Sequence, residues 1–174
     1  IGDLDEFERQ FLVHCEIARE FGGYKISVHS GSDKLSAYPA VGRGTNLRLH
    51  LKTSGTSWLE ALRVIAEKEP DLYRKLHRKA LEYYPEALKF YHITAELSRI
   101  APLNEQKDEQ LPEYLNHPDC RQMLHIGYGG ILNTQELADE FFAALHLHEE
   151  RYNEILIGHF TRHLEALGVP KKSS

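Results

Sequence analysis

Cysteine is scarce in this sequence, and long apolar runs and long basic runs are missing. The 174 residues include two cysteines, Cys15 and Cys120, on separate segments without the short spacing of a metal site. Two isolated thiols do not make a disulfide framework and are typical of proteins in a reducing compartment. We therefore expect a cytoplasmic protein.

The charge and hydropathy patterns exclude two classes of partner. The formal net charge is -5, and the longest basic stretch is the short segment 74–79, so we expect no nucleic-acid partner. No apolar run approaches the roughly 20 residues of a membrane-spanning helix, and no signal peptide is visible. We therefore expect no membrane partner, and the sequence leaves the oligomeric state open.

Apolar spacing predicts helices over residues 3–21, 57–68, 71–91 and 135–167. The last helix is expected either to break near residues 146–148 or to relax at Gly158. Short β-type runs are predicted at 24–28, 47–51 and 121–126, and residues 35–46 are expected to form one helical turn and then a loop. Strands that alternate with helices favour a parallel α/β sheet with flanking helices.

Each predicted strand ends in a histidine, namely His29, His50 and His125. Right-handed crossovers bring the carboxyl ends of parallel strands to one edge, so these histidines are predicted to converge there. Three strands cannot close a barrel of about eight, so the pattern predicts the C-terminal part of a TIM-like (β/α)8 barrel. A small open sheet is the alternative. Because the first residue is Ile1, we expect residues 1–174 to be a single α/β domain from a longer chain.

His29 and His50 are candidate metal ligands. Imidazole is the commonest neutral nitrogen donor for metals such as zinc, manganese and nickel, and strand ends hold such groups rigidly. The alternative is that both are buried histidines whose nitrogens bind backbone groups. His125 is a candidate for substrate binding or for a third ligand.

The loop after the first strand offers sugar-binding groups. Ser30 and Ser32 present hydroxyls, Asp33 is a candidate general base or metal ligand, and Lys34 is a candidate partner for a substrate carboxylate. The alternative reading is an Asx-type loop cap at Asp33 with a surface lysine beside it.

The loop after the second strand leads into a helix N-terminus, which favours anions. Lys52, Thr53 and Thr56 are therefore candidates for binding a carboxylate, although ordinary helix capping would also explain Thr56. His159 and His163, four residues apart on the last helix, have a spacing that would also suit a metal. No carboxylate of a protease-type motif accompanies them, so they are interpreted as the packed or solvated face of that helix. The glycines of segment 127–130 lack the spacing of a dinucleotide fingerprint and are expected to form a strand-end loop.

Several of these segments resemble one known family. The segments are HSGSDK at 29–34, HLKTSGTSW at 50–58, RQMLHIGYGGIL at 121–132 and HFTRHLEALG at 159–168. They resemble the tagaturonate/fructuronate epimerases, and the match covers the C-terminal portion of such proteins. The resemblance implies a divalent-metal-dependent isomerase that interconverts keto-hexuronates in uronate catabolism. It also implies a longer chain, whose N-terminal remainder supplies further catalytic residues.

Two other functions stay open at this point. One is a non-catalytic α/β module that binds a sugar or a metal, and the other is a different metal-dependent sugar isomerase. For the epimerase, the substrates implied by the resemblance differ at a hydroxyl-bearing carbon β to the ketone. A proton at that carbon is not acidified by the carbonyl, so we expect retro-aldol cleavage and re-addition, with Asp33 or a carboxylate from the N-terminal remainder as the base. The competing route is transient oxidation, which needs a nicotinamide cofactor, and these residues contain no fingerprint for one.

Overall fold

The computed structural model describes residues 2–29 and 32–171, without the side chains of Ser32, Asp33 and Ser54. This part of the chain is a helix-rich α/β structure. Its α-helices and β-strands, in chain order, are α1 (Leu4–Glu20), β1 (Ile26–His29), α2 (Tyr38–Thr45), β2 (Leu49–Lys52), α3 (Ser54–Lys68), α4 (Pro70–Ala87), α5 (Pro118–Ile126), α6 (Tyr128–Leu132), α7 (Gln135–Leu147) and α8 (Glu149–Leu167). None of these helices is long and apolar enough to cross a membrane.

The chain divides into two compact units. The first, here called the strand unit, comprises Ile1–Thr56 with Ile157–Ser174, and the second, the helical unit, comprises Ser57–Leu156. Each unit has its own cluster of buried apolar side chains. The prediction of a single domain stays a prediction.

A two-stranded parallel sheet is the centre of the strand unit. Ile26 of β1 pairs with Leu49 of β2, and the register continues to the pair of His29 with Lys52. Successive side chains of a strand point to opposite faces, and here the half-buried positions alternate with exposed ones. The half-buried face consists of Ile26, Val28, Leu49 and Leu51, which pack with the core residues Phe11, Cys15, Tyr38, Val41 and Leu167.

Helix α1 confirms the sequence prediction at both ends. The Asp3 carboxylate accepts a hydrogen bond from the backbone N–H of Glu6 at 2.8 Å and caps the first turn. Gly22 and Gly23 follow the helix with φ values of +96° and +65°. Such angles favour glycine, which explains why the helix ends at this dipeptide.

The prediction of a loop over residues 42–46 was wrong, because α2 continues from Tyr38 to Thr45. Pro39 lies in the first helical turn, where its missing N–H has no intrahelical partner to lose. Gly42 is required by packing, since a Cβ atom there would lie 1.9 Å from the carbonyl oxygen of Leu167. The glycine that suggested a loop therefore lies where α2 packs closely against the end of α8.

The helical unit is held together by side chains from α3 to α7. Leu62, Ile65, Leu76 and Leu124 are fully buried in its core. Trp58 packs against Phe141, and its indole N–H donates to the carbonyl of Leu124 at 3.1 Å. The connector between α4 and α5 contains 3-10 helices at Leu97–Arg99, Leu103–Glu105 and Asp108–Leu115. Pro102 precedes the second of them, and Pro112 lies within the third.

The third predicted strand is a helix. Residues 121–126 belong to α5, which begins with Pro118 in its first turn, and the glycines of 127–130 lie next to or within α6. A short apolar run does not by itself distinguish a buried strand from a buried helix. The predicted break near residues 146–148 is confirmed, since α7 ends at Leu147 and α8 begins at Glu149. The described residues thus form an α/β structure with two paired strands.

Candidate functional site

The exposed side of the small sheet carries four polar side chains, here called the polar strand face: Ser27 and His29 from β1, and His50 and Lys52 from β2. Ser27 lies opposite His50, and His29 lies opposite Lys52. Paired strands are about 5 Å apart, so the side chains of each pair are neighbours. The two candidate ligands, His29 and His50, are diagonal neighbours on this face.

Ser27 fixes the ring of His50. The Ser27 hydroxyl lies 2.9 Å from Nδ1 of His50, which is hydrogen-bonding distance. This contact orients the imidazole and leaves its Nε2 atom for another partner. A bond to one ring nitrogen commonly sets the orientation of a metal-binding histidine. The sequence analysis missed Ser27, although the alternation of residues along β1 places it on the same face as His29.

His29 ends β1 between two lysines. Lys52 is its partner across the sheet, and the Lys34 ammonium donates to the backbone carbonyl of His29 at 3.1 Å. The Lys34 ammonium is thus held close to the carboxyl end of β1, and Lys52 lies opposite that end on β2. This arrangement suits a carboxylate-bearing ligand, which is the role predicted for both lysines.

The residues that follow β2 are held by hydrogen bonds inside the strand unit. The hydroxyl of Thr56 donates to the backbone carbonyl of Thr53 at 2.8 Å, and its oxygen lies 2.9 Å from Nε2 of His159. Thr56 and His159 are both buried. The alternative of helix capping by Thr56 was wrong, because Thr56 lies inside the first turn of α3 and its hydroxyl donates to a carbonyl instead of accepting a backbone N–H. The substrate-binding roles predicted for Thr56 and Thr53 stay predictions.

His163 extends this buried chain of polar groups. Its Nδ1 lies 2.8 Å from the backbone carbonyl of His159, one helical turn earlier, and the two rings have centroids 4.3 Å apart. Its Nε2 atom is buried and has no hydrogen-bond partner among the residues that the structure describes. The interpretation of these two histidines as a packed helix face agrees with their burial.

His125 is not at a strand end. It is half-buried in α5, within the helical unit, so the argument that placed it beside His29 and His50 at one sheet edge was wrong. Its role in substrate binding stays a prediction without that argument.

Three candidates fall outside the described part of the chain. Ser30 is not described at all, and for Ser32 and Asp33 only the backbone is, in a 3-10 helix that runs from Ser32 to Ala37. The roles predicted for these residues, including that of Asp33 as base, therefore stay predictions.

The described residues supply only some of the ligands that a metal site needs. Within the described ranges 2–29 and 32–171, no group of three or more histidine, cysteine, aspartate or glutamate side chains is placed to hold a metal ion. The polar strand face brings together two imidazoles, which suit a divalent transition metal but do not complete its coordination. A cavity of about 270 Å³ lies elsewhere in the strand unit and is lined by other residues, among them Arg19 and Arg48.

The sequence of this chain is similar to those of one enzyme family. The sequence profile of the tagaturonate epimerase family matches residues 1–167. A tagaturonate/fructuronate epimerase from Thermotoga maritima is 44% identical over 166 residues, which are 95% of this chain and 34% of that protein.

Solved structures agree in sequence and in fold. The native crystal structure of a fructuronate–tagaturonate epimerase from Cohnella laeviribosi is 49% identical, with a TM-score of 0.90 over 97% of this chain and 35% of that one. A structure of the same enzyme with two glycerol molecules gives a TM-score of 0.92 at 48% identity, over 98% of this chain and 36% of that one. The chain thus spans about a third of the length of these relatives, and it belongs to the tagaturonate epimerase family.

Proposed function

We propose that the native protein containing this chain interconverts tagaturonate and fructuronate. The observation that supports this most is the likeness to the Thermotoga maritima epimerase over 95% of the chain. We further propose that the chain forms the C-terminal part of a β/α barrel in the cytoplasm, and that the N-terminal remainder supplies the rest of the active site.

The polar strand face is our candidate for the substrate and metal surface. Lys52 and Lys34 would bind the hexuronate carboxylate, helped by Thr53 and, through its hydrogen bond to the Thr53 carbonyl, by Thr56 in the first turn of α3. Their position beside the end of β1 supports this assignment. Ser30 and Ser32 would bind sugar hydroxyls, and His125 stays a weaker candidate for the same task.

The donors on the polar strand face fit part of a divalent metal site. His29 and His50 are exposed neighbours, and the bond from Ser27 to Nδ1 of His50 leaves Nε2 available as a ligand. Zinc, manganese and nickel all accept imidazole. When bound, such a cation would stabilise negative charge on substrate oxygens as a Lewis acid. The remaining ligands would come from Asp33 or from the N-terminal remainder.

The chemistry that we propose is a retro-aldol reaction followed by an aldol reaction. Asp33, or a carboxylate from the remainder of the protein, takes the proton of the β-hydroxyl group. The bond between the α and β carbons then breaks, its electrons pass to the ketone as an enediolate, and the β carbon becomes an aldehyde. The aldehyde turns, the α carbon attacks its other face, and the base returns the proton to the new alkoxide.

The proposal is tested by incubating the full-length protein with tagaturonate in deuterated water. We expect fructuronate to form with its original hydrogen at the inverted carbon, because that C–H bond is never broken. Stoichiometric deuterium at this carbon would contradict the retro-aldol route and restore direct proton transfer. A protein that binds hexuronate without forming fructuronate would instead be the non-catalytic binding module.

The remaining alternative is a different sugar isomerase. Aldose–ketose interconversion by the full-length protein, with no epimerisation of tagaturonate, would favour it. Metal analysis of the purified protein addresses the cofactor separately, and a preparation that is active without a divalent metal would refute metal dependence.

A further inference from the structure

The first turn of α3, just after β2, is connected to α8 by a directional chain of hydrogen bonds. The Thr56 hydroxyl has one hydrogen, and the carbonyl of Thr53, which only accepts, takes it at 2.8 Å. The oxygen of Thr56 must then accept from Nε2 of His159, 2.9 Å away. This assignment places a hydrogen on Nε2 of His159.

The next contact extends the chain along α8. The carbonyl of His159 is again only an acceptor, so Nδ1 of His163 donates to it at 2.8 Å. His159 and His163 are each 2% exposed, and Thr56 is 0% exposed. A buried polar group that loses its partner has no water to replace it, so each link holds its neighbours in place.

We propose that His159 is a positioning residue for the segment 52–56, acting through Thr56. The inference rests on the proposed function, in which Lys52 and Thr53 bind the substrate. The Thr53 carbonyl accepts both the backbone N–H of Thr56, at 3.0 Å, and the Thr56 hydroxyl. Through that hydroxyl, the imidazole of His159 helps to fix the peptide group that joins Thr53 to Ser54, next to Lys52. His159 does not itself touch substrate. The competing explanation is a core hydrogen bond that contributes to stability alone.

The matched variants are His159→Gln and His159→Leu. A glutamine amide nitrogen reaches the position of Nε2 and keeps a donor for Thr56, whereas leucine removes the donor and keeps the bulk. In the full-length protein we expect His159→Leu to raise the KM for tagaturonate about tenfold or more, since small misplacements of binding groups are costly. We expect His159→Gln to stay within about threefold of the wild-type protein.

Thr56→Val removes the same hydrogen bond from its other side, and it tests the positioning role if His159→Leu does not fold. It should raise KM as His159→Leu does, and the double variant should be no worse than the more affected single variant, because the two residues act as one unit. His77→Leu is the control, since His77 is 1% exposed in the helical unit. We expect it to lower stability without raising KM.

Hydrogen exchange supplies a measurement that does not depend on catalysis. If the wild-type protein does not epimerise tagaturonate, the proposed function fails, but the positioning inference still predicts faster exchange in peptides covering residues 50–56 of His159→Leu. Peptides from α1 should keep their wild-type rates. Unchanged exchange at 50–56, or a lower unfolding temperature with unchanged KM, would show a merely stabilising bond and overturn the inference.

Discussion

Acid should destabilise the helical unit through His77. This side chain is 1% exposed, its Nδ1 lies 3.3 Å from the Tyr73 hydroxyl, and the Tyr114 ring is 4.8 Å away between centroids. Burial, and to a smaller extent the positive charge of Arg78, lower the pKa of His77 from 6.5 to about 4. The folded protein therefore keeps this imidazole neutral at a pH where the unfolded chain protonates it.

The sign and size of the effect follow from proton linkage. Because the pKa of the folded state is the lower one, the contribution of His77 to stability is fully present above pH 6.5. It is lost as the pH falls from about 6.5 to about 4. At 1.36 kcal/mol per pKa unit, a shift of about 2.5 units corresponds to a loss of about 3 kcal/mol.

Urea unfolding of the full-length protein at pH 7 and pH 4 measures this loss, with exchange of peptides from α4 to locate it in the helical unit. Carboxylates also titrate in this range, so the informative quantity is the difference between the wild-type protein and His77→Leu. We expect the wild-type free energy of unfolding to fall by about 3 kcal/mol more than that of the variant. Parallel pH dependences for the two proteins would refute the reasoning.

Three further predictions concern the strand unit. Replacing either histidine of the polar strand face with alanine should abolish metal retention by the full-length protein while leaving it folded, and unchanged metal content in both variants would exclude them as ligands. Lys52→Ala should raise KM more than Lys25→Ala, because Lys25 precedes β1 and lies away from its carboxyl end; equal KM values would argue against carboxylate binding by Lys52. Gly42→Ala should lower the free energy of unfolding by about 3 kcal/mol or more, since its Cβ would overlap the backbone of α8, and a thermal melt equal to that of the wild-type protein would refute the contact.

The sheet and its polar side could be predicted from sequence, because strands alternate with a period of two. Ser27 and His29 are two residues apart, as are His50 and Lys52, so each pair shares a face of its strand. The register depends on how the two strands pair, and no local sequence pattern predicts that pairing. For that reason the contact of Ser27 with His50, which is a consequence of the register, was missed.

The errors occurred where packing decides between two local conformations. The segment 121–126 has the short apolar pattern of a strand, but Pro118 and the cap at His117 begin a helix, and the side chain of Met123 is buried in the helical core. Gly42 was read as a loop residue because the contact that requires a glycine comes from the distant end of α8. The residues that pack against Met123 and Gly42 are distant in sequence, whereas the helix start at Pro118 was a local signal that the sequence analysis did not use.

The exposed polar side of the sheet is not explained by packing of the described residues. Parallel strands are usually covered on both faces and therefore read as continuous apolar runs. Here only one face is apolar, and the other carries Ser27, His29, His50 and Lys52. An isolated pair of strands is marginally stable, and among the described residues each of these two strands has one unpaired edge. Both features support our proposal that the sheet continues with strands from the N-terminal remainder and binds the ligand at its carboxyl end. This is the physical reason for our barrel proposal.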